Sequence, residues 1–172
     1  MKFMQTTALA LSMSFAGYAA MADMPTVSAV EVEADLSAYE NSNALDFWPT
    51  LDDDLGKAIA DKLNFDDATA PRLEVQLTKV AIDGDTVLPD SGEFNHLEGI
   101  IAVHSGLESG NTTEGKADPE VLQSFPLTIV AKTGEGMELP EGWYLIAPSQ
   151  EDFYQAMVAA YAEKVVERLD FE

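Results

Sequence analysis

The sequence predicts an α+β fold: a two-layer sandwich in which a largely antiparallel sheet of four to five strands carries two helices on one face. Two observations carry that prediction. Runs of period-two alternation fill the middle of the chain, and two amphipathic stretches of helical period lie near its two ends. No internal repeat and no linker long enough to divide the chain interrupts them, so the expected order is β-α-β-β-β-(β)-α in a single core.

The first strand is SAVEVEADLS. Val30, Val32, Ala34 and Leu36 fall on one side and Glu31, Glu33 and Asp35 on the other, the pattern of a half-buried strand. Asn41, Ser42 and Asn43 then offer helix caps. In FWPTLDDDLGKAIADKL, Trp48, Leu51, Leu55, Ile59 and Leu63 recur every three or four residues, which predicts an amphipathic helix. Pro49 fits only the first turn, where its missing N–H costs little, so the regular helix is expected to start there.

After FDDATAP comes RLEVQLTKVAI. Leu73, Val75 and Leu77 share one face while Val80 and Ile82 are out of phase with them, which predicts either a bulge near Thr78 and Lys79 or a strand covered on both sides. HLEGIIAVHSG is a second β-rich run, with Leu97, Ile101 and Val103 in phase. LESGNTTEGKADPE (107–120) reads as a loop by composition. SFPLTIVAK places Phe125, Leu127, Ile129 and Ala131 together, and Pro126 argues for an edge strand. GWYLIAP predicts a short last strand. The terminal PSQEDFYQAMVAAYAEKVVERLDFE is a long amphipathic helix: Ser149 with Asp152 resembles a capping box, and Phe153, Met157, Tyr161, Val165 and Leu169 form an i, i+4 stripe.

The first 22 residues, MKFMQTTALALSMSFAGYAAMA, run from a positive charge at Lys2 through an apolar stretch to Ala20-Met21-Ala22. This is the layout of a secretory signal peptide, so residues 1–22 are expected to be removed and 23–172 to form one α+β domain in the periplasm or outside the cell. Removing 22 of 172 residues leaves 150, enough for one core. No later stretch approaches the roughly 18 to 20 continuous apolar residues of a membrane span. The chain has no cysteine, which excludes disulfides, thiol catalysis, cysteine-rich zinc sites and a lipidated cysteine anchor.

Asp and Glu number 31 against 9 Lys and Arg, a formal net charge of -22 that grows by one unit when Lys2 leaves with the signal. Such a surface repels phosphate backbones and anionic lipid, so the expected partner is a basic or envelope protein and not nucleic acid. Adaptation to salt explains the acidity without any ligand, because at seawater-like ionic strength the Debye length falls to roughly 4 to 5 Å. With 47% hydrophobic residues in clear periods, the chain is expected to fold despite its charge.

Chemistry has one obvious place to look, IDGDTVLPDSGEFNHLEG (82–99). Asp83, Asp85, Asp90 and Glu93 are the candidate metal ligands, and calcium, which takes six to eight oxygens, is the candidate ion. The spacing departs from an EF-hand: counting from Asp83, position five is Val87 and position twelve is Phe94. Gly and Asp are also the turn residues expected between two strands, so a hairpin connection is the first reading. Asp90-Ser91-Gly92 matches the aspartic-protease motif in letters only, since it occurs once and follows Leu88-Pro89.

His96 and His104, the only histidines, are eight residues apart, roughly 26 Å along one strand and too far to share a metal. Asp52-Asp53-Asp54 reads as a solvated helix face, because consecutive helical residues point about 100° apart. Trp48 with Phe47, and Trp143 with Tyr144, are expected to pack helices onto the sheet, and an exposed pair would mark an interface.

The run ALDFWPTLDDDLGKAI and the terminal DFYQAMVAAYAEKVVERLD resemble small secreted proteins of unassigned function from marine alphaproteobacteria. The resemblance implies an envelope location and brings no catalytic residues. The order of elements is also similar to that of envelope-assembly proteins such as outer-membrane lipopolysaccharide-transport lipoproteins, whose lipidated cysteine this chain lacks. The function expected on these grounds is non-enzymatic binding of another envelope component through an open sheet face or edge. A calcium-binding protein and a small carboxylate hydrolase are the alternatives.

Overall fold

A computed structural model of the chain describes residues 24–106, 119–131 and 150–170. It shows an α+β fold whose sheet, among the described residues, has four strands in the order β1-β2-β3-β4. The elements are β1 (Ala29–Ala34), α1 (Ala44–Phe47), α2 (Leu51–Ala60), β2 (Arg72–Ala81), β3 (His96–His104), β4 (Val121–Val130) and α3 (Gln150–Glu167). The pairings β2–β3 and β3–β4 are antiparallel, and β1–β2 is parallel. A parallel pair needs a crossover of a dozen or more residues, and the helical segment between β1 and β2 supplies it.

Alternation decides which side of the sheet is inside. Register places Val32, Val75, Ile101 and Phe125 in one row across all four strands, and Leu73, Val75, Leu77, Leu97, Ile101, Val103, Phe125 and Leu127 are all buried. β2 keeps this face through a bulge between Leu77 and Lys79. The extra residue, Thr78, brings Val80 back inward opposite Leu97, so of the two readings of the phase change the bulge is the right one, and Val80 is fully buried.

The expected first helix starts at Leu51 with Thr50 as its N-cap, so Pro49 stands just before the helix and not in its first turn, and a separate short helix, α1, precedes it. Trp48 sits at φ -124°, ψ 66°, ending α1, and the regular helix α2 begins at Leu51. Proline disfavours the helical conformation in the residue before it and cannot donate its own N–H, so Pro49 sets this break. α2 buries Leu51, Leu55 and Ile59, one per turn. α3 buries Tyr154, Met157, Val158, Tyr161, Ala162 and Val165, and both helices share one hydrophobic core with the inward face of the sheet. A methyl built on Gly56 of α2 would touch Val32 of β1, and Tyr161 of α3 lies over Gly99 of β3. The expected last strand at GWYLIAP, Trp143 and Tyr144, Ser149, the side chain of Asp152 and most of the loop 107–120 lie outside the described residues.

Candidate functional site

The acidic stretch 82–99 is built as a hairpin turn followed by a return loop. The N–H of Ile82 donates to the carbonyl of Asp85 at 2.8 Å, and that of Asp85 to the carbonyl of Ile82 at 2.8 Å. Between them Asp83 has φ 49° and Gly84 φ 96°. Two central residues at positive φ are the signature of the two-residue hairpin turn that Asp-Gly favours, because its twist matches the strands it joins. A second turn follows at Pro89, closed by Gly92 N–H to the Pro89 carbonyl at 2.7 Å.

Several of the loop's polar groups already serve the loop. Asn95 Nδ2 donates to Asp83 Oδ1 at 2.8 Å and Asn95 Oδ1 accepts from the Asp83 N–H at 3.0 Å. Asp85 Oδ1 accepts from the Val87 N–H at 2.9 Å. Asp83, Asp85, Asp90 and Glu93 are all exposed, and among the described residues no group of three or more His, Asp or Glu side chains is arranged to hold a metal ion.

What the loop does is anchor the helices. Asn43, placed by sequence as a cap, makes no cap hydrogen bond. Its amide pairs instead with the backbone of Leu88, accepting at 2.7 Å and donating at 3.0 Å. Trp48 donates Nε1–H to the Gly92 carbonyl at 2.7 Å, stacks on Tyr154 at 4.2 Å and meets Phe94 edge-on at 6.3 Å. Asp54, one of three consecutive aspartates, accepts from the Tyr154 hydroxyl at 2.7 Å and from Thr50 at 3.0 Å. Trp48 therefore packs the core as expected, while Phe47 is 36% exposed.

Burial, and then the hydrogen bond and negative charge of Asp54, push the Tyr154 phenol well above its ordinary pKa; burial, and then the charge of Glu98, do the same for Tyr161. In an unfolded chain both phenols ionise near pH 10. Above that pH the unfolded form sheds protons that the folded form keeps, so stability present below pH 10 is lost as pH rises. The expected slope is up to about 1.4 kcal/mol per pH unit per tyrosine. Denaturant titrations between about pH 9 and 12, with phenolate absorbance followed in parallel, check it; two tyrosines ionising freely in the folded protein would contradict it.

Among the described residues no helix or strand covers the face of the sheet away from the core. It carries Glu31 and Glu33 from β1, Arg72, Glu74, Gln76 and Lys79 from β2, His96, Glu98, Ile100, Ala102 and His104 from β3, and Val121, Ser124, Pro126, Thr128 and Val130 from β4, where Leu122 is the extra residue of a bulge. Ile100, on an interior strand, is 45% exposed opposite Pro126, and Leu122 and Val130 are exposed toward the two ends of β4. Both histidines lie on this face at opposite ends of β3, as their spacing required. His104 Nε2 is 3.0 Å from Glu74 Oε2, and His96 Nε2 is 3.4 Å from Glu98 Oε2.

The sheet edge differs from the face. β4 is the last strand among the described residues, and Pro126 has no N–H to offer. Arg168 Nη1 takes the Pro126 carbonyl at 3.0 Å, with its guanidinium 4.3 Å over the Phe125 ring. Edge strands are commonly blunted by such devices, which block pairing with another strand. A shallow depression of about 390 Å³ near Met24, Lys62 and Val166 holds carboxylates facing lysines, Asp61 to Lys57 and Glu167 to Lys164.

The signal for the outer face was present in Gly99-Ile100-Ile101-Ala102-Val103, an apolar run without alternation, which is how a strand built for burial on both faces reads. No protein-family model, curated protein or solved structure matches the chain.

Proposed function

We propose that this chain is a non-enzymatic binding protein of the periplasm that docks another envelope component, a basic protein, on the outer face of its sheet. The observation that supports the reading is Ile100, half-exposed at the centre of an interior strand opposite Pro126 of β4, with exposed Leu122 and Val130 four residues from Pro126 in either direction along that strand. Aliphatic side chains left on a sheet face gain from being covered, which is what a docked partner would supply. Pro126 and Arg168 blunt the β4 edge, which weighs against strand addition there. The acidity of the chain favours a basic partner.

Photo-crosslinking in cells tests this. A photoreactive residue at position 100, 122 or 130 is expected to give one discrete adduct, whereas the same residue at Asp53, on the outer side of α2, gives none. Adducts of equal yield at all four positions, or at none, would overturn the reading.

Calcium binding through Asp83, Asp85, Asp90 and Glu93 has its own test. At about one hundred times its dissociation constant a specific ion adds about 2.7 kcal/mol, or roughly 5 to 10 °C in melting temperature. We expect no such calcium-selective rise over magnesium at matched ionic strength, since Asp83 and Asp85 already accept loop hydrogen bonds. A rise abolished by Asp83→Asn would restore calcium as the ligand.

A further inference from the structure

We infer that Asp83-Gly84 is a site of spontaneous aspartate-to-isoaspartate rearrangement, and that the hairpin turn and Asn95 hold the reaction off in the folded protein. It is the only Asp-Gly pair in the chain, and no Asn-Gly pair occurs. The chemistry needs no partner but water. The Gly84 nitrogen attacks Cγ of Asp83, and the carboxyl OH leaves with the Gly84 amide proton as water, closing a succinimide ring. Water then opens the ring at one of its two carbonyls. Opening at Cγ restores aspartate, while opening at the α-carbonyl breaks its bond to the Gly84 nitrogen and leaves the main chain running through Cβ and Cγ. No atom is gained or lost overall. Glycine promotes the step because it has no Cβ to obstruct its own nitrogen and lets the backbone turn freely. Asp83, Gly84 and Asp85 are exposed, and a methyl built on Gly84 would meet nothing within 4 Å, so packing keeps out neither water nor the ring.

Conformation is what restrains the site. Asp83 at φ 49° and Gly84 at φ 96° occupy the two central positions of the turn, and in a turn of this type ψ of the first is about +30°. There the Cβ of an L-residue lies almost opposite the following nitrogen across the Cα–C bond, whereas ring closure needs the two nearly eclipsed. The Asp83 backbone must therefore swing through roughly 150° before its carboxyl can reach Gly84. Such a swing breaks the paired bonds between Ile82 and Asp85.

Asn95 adds a second restraint from outside the turn. Its Nδ2 donates to Asp83 Oδ1 at 2.8 Å and its Oδ1 accepts from the Asp83 N–H at 3.0 Å, so one side chain grips both the carboxylate and the backbone that would have to move. Asn95 is itself fixed. Its N–H donates to the Ala81 carbonyl at 3.0 Å, and its carbonyl accepts from the Ala131 N–H at 2.8 Å. The restraint matters to the fold, because isoaspartate adds one carbon to the backbone path and a two-residue turn has no room for it. The loop that starts here carries Leu88 and Gly92, which bond Asn43 and Trp48.

The test is the rate at which isoaspartate accumulates at position 83 in the purified protein kept warm in mildly acidic buffer, read by an isoaspartyl methyltransferase with a labelled methyl donor and by peptide mapping. A synthetic peptide of residues 79–88, which has the Asp-Gly pair without Asn95 or the sheet, gives the unrestrained rate. The protein is expected to react at least about tenfold more slowly than the peptide, because only the opened turn can cyclise. Asn95→Ala removes two hydrogen bonds and should speed the protein about tenfold. Where melting shows that Asn95→Ala does not fold, Asn95→Asp, which loses the Nδ2 donor and keeps the acceptor, takes its place. Gly99→Ala, which burdens the core without touching the turn, should leave the rate unchanged, because opening a turn needs far less than global unfolding. A peptide that forms no isoaspartate, a protein that reacts as fast as the peptide, no acceleration in the Asn95 variant, or equal acceleration in Gly99→Ala would each overturn the inference.

Discussion

Gly99→Ala is expected to cost the fold about 3 kcal/mol or more, lowering its melting temperature by roughly 10 °C. A methyl at this position would collide with the hydroxyl of Tyr161 and lie 2.6 Å from the carbonyl oxygen of Gln76. The first neighbour is a side chain in a fully buried stripe, and the second is backbone in the adjacent strand. Neither can retreat without moving a helix or opening the ladder, so strain adds to the contact itself. Glycine inside a strand commonly marks such a close approach.

Tyr161→Phe supplies the control. The Tyr161 hydroxyl is buried and has no hydrogen-bond partner among the described residues, so deleting it removes a group whose desolvation no described contact offsets. The single variant should be neutral or more stable by about 1 kcal/mol. In the double variant the clash with Gln76 remains and the clash with the hydroxyl is gone, so Gly99→Ala should be rescued in part. Equilibrium denaturation of the four proteins measures this coupling. Additive effects, with no rescue, would show that the hydroxyl does not limit the space above Gly99.

Trp48→Ala is expected to lose about 3 to 5 kcal/mol, a large share of the roughly 5 to 15 kcal/mol that holds a domain together. The indole joins three parts of the chain: it stacks on Tyr154 of α3, abuts Phe94 of the return loop and bonds the Gly92 carbonyl. Trp48→Phe keeps an aromatic ring and loses the bond, so about 1 to 2 kcal/mol of the loss should remain. The loop from 83 to 94 should then become the first region to exchange its amide hydrogens, since Asn43 alone would still tie Leu88 to the helical segment. Uniform exchange across the fold after Trp48→Ala would mean that the indole stabilises the whole core and not this loop.

The elements that could be read from the sequence are those whose cause is local. Alternation in β1, the i, i+4 stripe of α3, the break at Pro49 and the turn at Asp83-Gly84 each follow from the conformational preferences of adjacent residues. The bulge at Thr78 was legible too, as one of two readings, because a slip of one residue moves every later side chain to the other face. Asn43 does stand at the N-cap of α1, as local preference suggests, but its amide bonds the backbone of Leu88, 45 positions away, which no local pattern shows. The candidate ligands Asp83, Asp85, Asp90 and Glu93 were easy to find as a cluster in sequence and are exposed loop carboxylates in space.

The sequence alone determined the α+β class, the largely antiparallel sheet, the phase of each strand and the strong negative charge. Only the tertiary structure decided that β1 runs parallel beside β2, that Asp54 meets Tyr154 across 100 positions, and that Ile100 is half-exposed on the outer face of the sheet. The physical reason is that periodicity tells which side chains share a face but not what lies against it. Strand order and helix placement settle that, through contacts between segments whose separation along the chain leaves no trace in local pattern.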